Sequence, residues 1–532
     1  IMKKQSLLQG AFILTISGLV NRILGFSLRI ILVNLVGDEG LGLFQMVYPI
    51  FITFLLLATA GFPMAISKLI PQETNNQNKN SAIKLFRVSL ISVSIAGTFL
   101  AIIFYFQADF ISQRLLSDQR TYYALLAISP VLIISPIAAV FRGFFQGLQT
   151  MIPTAISQIT EQICRLLGTI AIIYIIGSAS LGLKYKSAGI ALGVGIGELT
   201  GLVILIYLFF RWQLDQKQSY KIKKSDKIKM RKEENLKNST GFISTYKKIA
   251  RLGFPITLGR LIHSLMFSIE AIIIPNQLEI SGLSGQEATG LYGQLSGMVE
   301  QIIFLPTVIT IGLTTSLVPN IAEAYSNNNI KKIDNNYKDI MRIISYMGVP
   351  IIFVFTRYSS EICHLLFGYG EAGKLLAGLA LSAPFIYYLQ VSSGMLNGLG
   401  KPMVAVRNML IGSAIKLVII YFLTGNPSWR ITGTTTGMTI GFIIAAILNY
   451  ISIAQRINYT FDLKKIIFKP LLSMAGVYFA TPYFKLLTSY LPFSDIYRIE
   501  IIYLLSFTAI LYLALMIMVR AFTAEDIKRF KF

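Results

Sequence analysis

The chain has 532 residues, 54% of them hydrophobic and only 14% charged, with a mean hydropathy of +0.63 and a formal net charge of +23. Soluble domains carry about 25% charged residues, so the composition excludes most soluble enzymology and points to the bilayer. No folded basic domain is left over to bind nucleic acid, and the positive charge is first a topology signal.

A membrane helix needs about 20 mainly apolar residues, and fourteen segments meet that length: 7–35, 43–68, 83–106, 121–146, 154–177, 187–211, 249–275, 291–320, 338–357, 372–397, 403–424, 431–454, 466–488 and 497–520. Most are too long and too aliphatic for barrel strands. Threaded from a cytoplasmic N-terminus, they leave most of the 48 Lys and Arg residues in cytoplasmic segments, as the positive-inside rule requires. An even helix count returns the C-terminus, with Lys528, Arg529 and Lys531, to the same side. The expected fold is an all-α polytopic membrane protein with both termini cytoplasmic.

The first helix follows Lys3 and Lys4 but is too long for a signal-peptide core and lacks a small-x-small cleavage site, so it is read as part of the mature protein. It holds Arg22 and Arg29, seven residues apart and thus two turns along one face. Charges at bilayer depth are costly, which makes each a functional candidate. Two guanidinium groups on one face suit an anion, above all a diphosphate, which arginine grips with paired hydrogen bonds. Snorkelling to the interface is the structural alternative. Lys68, near the cytoplasmic end of the second helix, reads as interfacial. In the fifth helix Glu161 and Arg165 stand four residues apart, a spacing that favours mutual neutralisation. The sixth carries Gly193, Gly195, Gly197 and Gly201, read as close helix packing rather than a dinucleotide fingerprint, together with Glu198, a weaker cavity candidate.

A polar insert at 213–248 follows, with Lys221, Lys223, Lys224, Lys227, Lys229, Arg231 and Lys232. It reads as a basic cytoplasmic linker able to touch anionic lipid. The seventh helix then places Arg260, His263 and Glu270 within eleven residues. Arg260 is a further candidate for the anion, and Glu270 for a driving cation. Glu300 in the eighth helix and Lys416 in the eleventh are cavity candidates too. Gly433 and Gly437 in the twelfth again permit close packing. Cys164 and Cys363 lie in unrelated places, so neither a disulfide nor a metal site is expected.

The two halves echo each other. Gly42-Leu43-Phe44 matches Gly290-Leu291-Tyr292, and at the same offset of 248 Pro71 matches Pro319. Gly143 to Gly147 with Pro153 answers Gly394 to Gly398 with Pro402, each a Gly-x-x-x-Gly helix end followed by proline near the next helix start. The expected division is a six-helix lobe at 1–212, the linker at 213–248, a second six-helix lobe at 249–455, and helices 13 and 14 with the tail at 456–532. A parallel repeat of this kind is typical of alternating-access transporters. Catalytic motifs are missing: there is no Walker A loop, His-Glu-x-x-His or nucleophile elbow. Transport without a nucleotide module draws on a Na⁺ or H⁺ gradient or on the membrane potential, about 2.3 kcal/mol per charge per 100 mV, with no cofactor.

Residues 3–72, 141–153 (FRGFFQGLQTMIP), 254–275 and 394–402 (GMLNGLGKP) resemble the polysaccharide transporter branch of the multidrug/oligosaccharidyl-lipid/polysaccharide (MOP) flippase superfamily. The resemblance covers essentially the whole chain. It implies a fourteen-helix, two-lobe flippase of a bacterial cytoplasmic membrane that moves undecaprenyl-diphosphate-linked precursors, lipid II foremost, in peptidoglycan and spore-cortex synthesis. The lipid-linked oligosaccharide and membrane lipids would be its partners, with other cell-wall proteins as further candidates. The chain is similar, more distantly, to MurJ-type lipid II flippases, whose first-helix arginines match Arg22 before Leu24-Gly25-Phe26 and, displaced by one residue, Arg29. Arginines that group draws from its second and eighth helices have no counterpart; Gln301 stands in one place, and Arg260 and Lys416 are the candidate substitutes. By resemblance alone, helices 13 and 14 provide a groove for the lipid tail. Alternatives are an exporter of another polyprenyl-linked glycan and a drug/cation antiporter of the same superfamily, which predicts an acidic cavity and twelve helices. A polyprenyl glycosyltransferase, which needs carboxylates in a large external loop, and a scaffold acting through the basic insert complete the set.

Overall fold

The computed structural model describes residues 5–75, 79–224, 241–457, 464–488 and 497–521. Lys3, Lys4, most of the basic insert and the C-terminal Lys528, Arg529 and Lys531 lie outside them, and so do both termini. Among the described residues all regular structure is helical. The principal helices are α1 (Leu7–Thr59), α2 (Phe62–Asn75), α3 (Lys79–Phe106), α4 (Val131–Gly147), α5 (Ile152–Ser178), α6 (Leu183–Lys224), α7 (Phe242–Ile280), α8 (Gly285–Tyr292), α9 (Thr307–Ser326), α10 (Ile330–Arg357), α11 (Ala383–Gly398), α12 (Pro402–Thr424), α13 (Ile431–Ile457), α14 (Lys469–Thr488) and α15 (Tyr497–Met518).

Among the described residues eleven helices are long and apolar enough to cross a bilayer, and a twelfth candidate is a pair, Gly285–Phe304 with Thr307–Ser326, bent by 51°. Two features separate this number from the fourteen predicted spans. The first and second spans run together as one stretch of 65 residues, Gln9–Glu73, broken in α1 at Gly37, whose φ of 72° and ψ of −176° leave the helical region. At 1.5 Å per residue that stretch measures about 100 Å against a hydrocarbon core of about 30 Å, which is length for two crossings. The thirteenth span forms α14, 20 residues long, but Lys469, Lys485 and hydroxyl residues such as Ser473 and Thr481 dilute it below the other eleven.

Helices in the bilayer have no polar outer face. Along α3 the exposed side chains include Ile91, Ile95, Phe99, Ile102 and Phe106, spaced by three and four, so an apolar stripe faces outward where a water-soluble helix would put charge. The other side of α3 is buried, with Phe86 stacked among Phe141, Phe144 and Phe209 at centroid distances of 4.8 to 5.5 Å. Such ring pairs add about 0.5–1.5 kcal/mol each beyond area burial.

The chain forms two compact units, Ile1–Asn276 with Gly285–Gly293, and Gln277–Ser284 with Gln294–Phe532. Helices α7 and α8, which follow the basic insert, belong to the first unit through close contacts. Gly61 has φ +74°, and any side chain there would strike the Gly253 carbonyl and the Thr257 hydroxyl of α7. Thr53 Oγ1 lies 2.8 Å from both the Ser264 and Ser268 hydroxyls. On α8, Thr289 donates to Asp118 Oδ2 at 3.0 Å, while Arg120 holds the same carboxylate at 2.9 and 2.7 Å and also reaches Glu39.

Equivalent helix pairs recur inside each unit. In the first, Gly147 of α4 faces α2 so closely that a Cβ would lie 2.8 Å from Ile70 Cβ; in the second, a Cβ at Gly398 of α11 would lie 2.9 Å from Ile321 Cβ of α9. The two Gly-x-x-x-Gly motifs therefore serve the same contact. Another glycine row, Gly193, Gly197 and Gly201 of α6, faces Thr169, Glu161 with Arg165, and Ser157 of α5. A Cβ at Gly197 would stand 2.8 Å from the Glu161 carbonyl. Overpacking costs about 1–3 kcal/mol, so Gly197→Ala is expected to lower the thermal midpoint measured in detergent. Gly18→Ala, with nothing within 4 Å, is expected to leave that midpoint within error.

Candidate functional site

Four residues of α5 at four-residue spacing, Ser157, Glu161, Arg165 and Thr169, share one helix face, and that face lies against the glycine row of α6. Bringing polar side chains into such close packing demands that each be satisfied, because an unpaired buried charge costs several kcal/mol. Arg165 donates to Glu161 Oε1 at 2.7 Å, the neutralisation its spacing predicts. The structure adds two partners. Arg142 of α4 donates to Glu161 Oε2 at 2.5 Å and to Ser157 Oγ at 3.2 Å. Glu198 of α6 approaches Arg165 only at 3.7 Å and lies by Ser135. Two arginines and two glutamates thus make a neutral quartet, with side-chain exposures of 11% to 17%.

Beside the quartet is a cavity of about 100 Å³ within the first unit. Its polar lining is Arg29, Tyr48, Gln162, Arg165 and Thr169, and its apolar wall includes Leu28, Phe44 and Val194. Gly25 opens the wall toward Gln162: a Cβ there would sit 3.4 Å from Gln162 Nε2. Arg165 Nε is buried and donates to no protein atom. Arg29 and Arg165 thus give the lining two guanidinium groups, the side chain whose planar fork matches the geometry of carboxylates and phosphates.

The residues singled out from the sequence fall in different environments. Arg29 is half-buried and lines the cavity, while Arg22 is exposed on α1. Arg260 is exposed on α7, with Nη1 3.6 Å from Met64 Sδ. Nearby His263 is exposed and stacks on Phe267 at 4.8 Å, and Glu270 is buried at 3% exposure. Those residues all belong to the first unit. Lys416 and Glu300 belong to the second. Lys416 is 4% exposed, its ammonium 5.3 Å from the Phe442 ring centroid. Glu300, half-buried, begins a short helix, Glu300–Phe304, directly after a π-helical segment, Gly293–Val299. Lys68 is exposed, as an interfacial lysine would be.

A second cavity, of about 430 Å³, lies within the second unit. Ile344, Val349, Phe385, Ala446 and Ile447 make its lining almost wholly apolar, and Ile466 and Ile467, leading into α14, close one side. Helices α14 and α15 are anchored on α10 there: Tyr346 packs with Met474, Val477, Tyr512 and Met516, and its hydroxyl donates to the Ala521 carbonyl at 3.0 Å.

Residues 7–282 match the family described as polysaccharide biosynthesis protein, and residues 293–422 match MatE. The chain is similar to stage V sporulation protein B of Bacillus subtilis (strain 168), with 29% identity over 536 residues covering 99% of this chain and 98% of that one. It is also similar to lipid II flippase MurJ of the same organism, at 26% identity over 484 residues and 86% and 84% coverage. Among solved structures, its fold is similar to that of lipid II flippase MurJ in an inward closed conformation, with a TM-score of 0.66 at 16% identity, covering 95% of this chain and 98% of that one. A family match over more than half the chain converges with the eleven or twelve helices that, among the described residues, are long and apolar enough to cross a membrane: the chain belongs to the polysaccharide biosynthesis protein family, as a multi-pass bacterial plasma-membrane transporter of the polysaccharide transporter branch of the MOP superfamily.

Proposed function

We propose that this transporter is a flippase for an undecaprenyl-diphosphate-linked cell-wall precursor, with lipid II the leading substrate, in peptidoglycan and spore-cortex synthesis. The observation that carries the reading is the cavity of the first unit, where Arg29 and Arg165 share a lining with Tyr48, Gln162 and Thr169. A diphosphate ester carries two charges and several acceptor oxygens, and guanidinium forks suit it better than a lysine does. Arg22, Arg260 and Lys416 are further cations for the same headgroup during the transport cycle, and Glu270 and Glu300 are the candidate sites of a driving cation. The apolar cavity beside α14 fits an isoprenoid tail, a chain with nothing to hydrogen-bond. Alternating access of the two units would carry the headgroup across while the tail stays in lipid.

The test is reconstitution in liposomes with fluorescent lipid II, following access of the headgroup to an impermeant reagent under Na⁺, H⁺ and voltage gradients. Exchange above that of protein-free vesicles is expected. Its absence under every gradient, with another undecaprenyl-linked glycan exchanged instead, would remove lipid II as substrate. Ala446→Trp, which fills the apolar cavity, is expected to slow flipping several-fold; an unchanged rate would separate that cavity from the tail.

A further inference from the structure

The neutral quartet is unevenly held. Glu161 accepts from two arginines, at 2.5 and 2.7 Å, whereas Glu198 meets Arg165 only at 3.7 Å and otherwise lies by the Ser135 hydroxyl. Arg165 in turn faces two ways: toward the carboxylates, and into the cavity it shares with Arg29. Its Nε is a buried donor with no acceptor, and a buried donor left unmade costs about 1–3 kcal/mol. Such a group is retained at no loss where a ligand supplies the missing acceptor.

We infer that Arg165 and Arg29 together bind the diphosphate, and that Glu198 takes up a proton when Arg165 turns to the anion, so that substrate binding in the first unit is proton-linked. The inference rests on the flippase reading and deepens it. The balance is one of charge. With Glu198 ionised the quartet is neutral and Arg165 is committed; an entering dianion that engages Arg165 leaves Glu198 as an uncompensated buried carboxylate. Proton uptake restores neutrality at a cost far below that of a bare charge in low dielectric. The charged groups that face Glu198 are Glu161 and Arg165 of α5 and Arg142 of α4, with the Ser135 hydroxyl beside it and Tyr48 of α1 next to Arg165. Anion binding draws Arg165 away from Glu198, so anion binding and proton uptake favour each other, and affinity rises as pH falls, by at most tenfold per unit for one proton.

The experiment measures binding of P1,P2-dimethyl diphosphate to the full chain in lipid nanodiscs by phosphorus NMR between pH 5 and 9. Both phosphoryl groups of this probe are esterified, so its charge stays at two throughout. Wild type is expected to bind with a pH slope, and Glu198→Gln, neutral at every pH, to hold the low-pH affinity with the slope gone. That outcome is a gain of binding at high pH, which a misfolded variant cannot give. Arg165→Lys is expected to weaken binding at least tenfold. A wild-type slope retained in Glu198→Gln would overturn the linkage, and wild-type affinity in Arg165→Lys would overturn the site. Equal binding of orthophosphate would overturn the assignment to diphosphate. Lipid II exchange by the wild type is scored in parallel: exchange without the linkage sinks the inference and leaves the flippase reading, whereas linkage without exchange does the reverse.

Discussion

Arg29→Ala is expected to lower the rate of lipid II exchange in liposomes by between about 30-fold and a few thousand-fold. The range follows from the 2–5 kcal/mol lost when one partner of a desolvated, hydrogen-bonded charge pair is truncated, at tenfold per 1.4 kcal/mol. Arg29 is half-buried and lines the polar cavity, while Arg22, two turns earlier on the same helix, is exposed. Arg22→Ala should therefore cost clearly less than Arg29→Ala, although the two residues look equivalent in the sequence. Arg29→Lys keeps the charge and loses the fork, and an intermediate rate is the expected result. Full activity in Arg29→Ala, with correct membrane insertion, would detach the cavity from transport and with it the diphosphate reading.

The contrast between Arg22 and Arg29 marks what a one-dimensional pattern conveys. Apolar runs, basic bias and the paired Gly-x-x-x-Gly motifs made the membrane class, the helix positions and the internal echo legible, because each depends on residues close in sequence. The pair Glu161 and Arg165 was legible for the same reason, being one helical turn apart. Arg142 was not: its contact with Glu161 spans nineteen residues and two helices, and its setting, FRGFFQG, reads as a helix end. Beyond that pair, the sequence signal for the quartet is the row Gly193, Gly197 and Gly201 beside Glu198, which implies a neighbouring backbone pressed against that stretch without saying whose. The span count departs from fourteen at Gly37, which joins two spans into one helical stretch long enough for two crossings, and at α14, whose polar residues dilute it. The packing of α7 and α8 within the first unit depends on long-range backbone contacts at Gly61 and Gly253, which no local period encodes.

The quartet also sets the second large effect. Glu161→Leu leaves two buried arginines with only the distant Glu198, and Arg142→Leu leaves an excess carboxylate; each is expected to cost about 3–5 kcal/mol, the usual penalty for an uncompensated buried charge. The double variant Arg142→Leu with Glu161→Leu removes one charge of each sign. It leaves Arg165 and Glu198 to close their 3.7 Å gap, and its stability should return to within about 1–2 kcal/mol of wild type, since apolar replacement of a buried pair is often neutral. Thermal midpoints of the four proteins in one detergent form the double-mutant cycle. A coupling of several kcal/mol identifies Arg142 and Glu161 as one electrostatic unit inside the membrane. Additive losses would mean that water or lipid headgroups already compensate each charge separately. The quartet would then be an open, hydrated site, and Glu198 would no longer need a proton when Arg165 turns away.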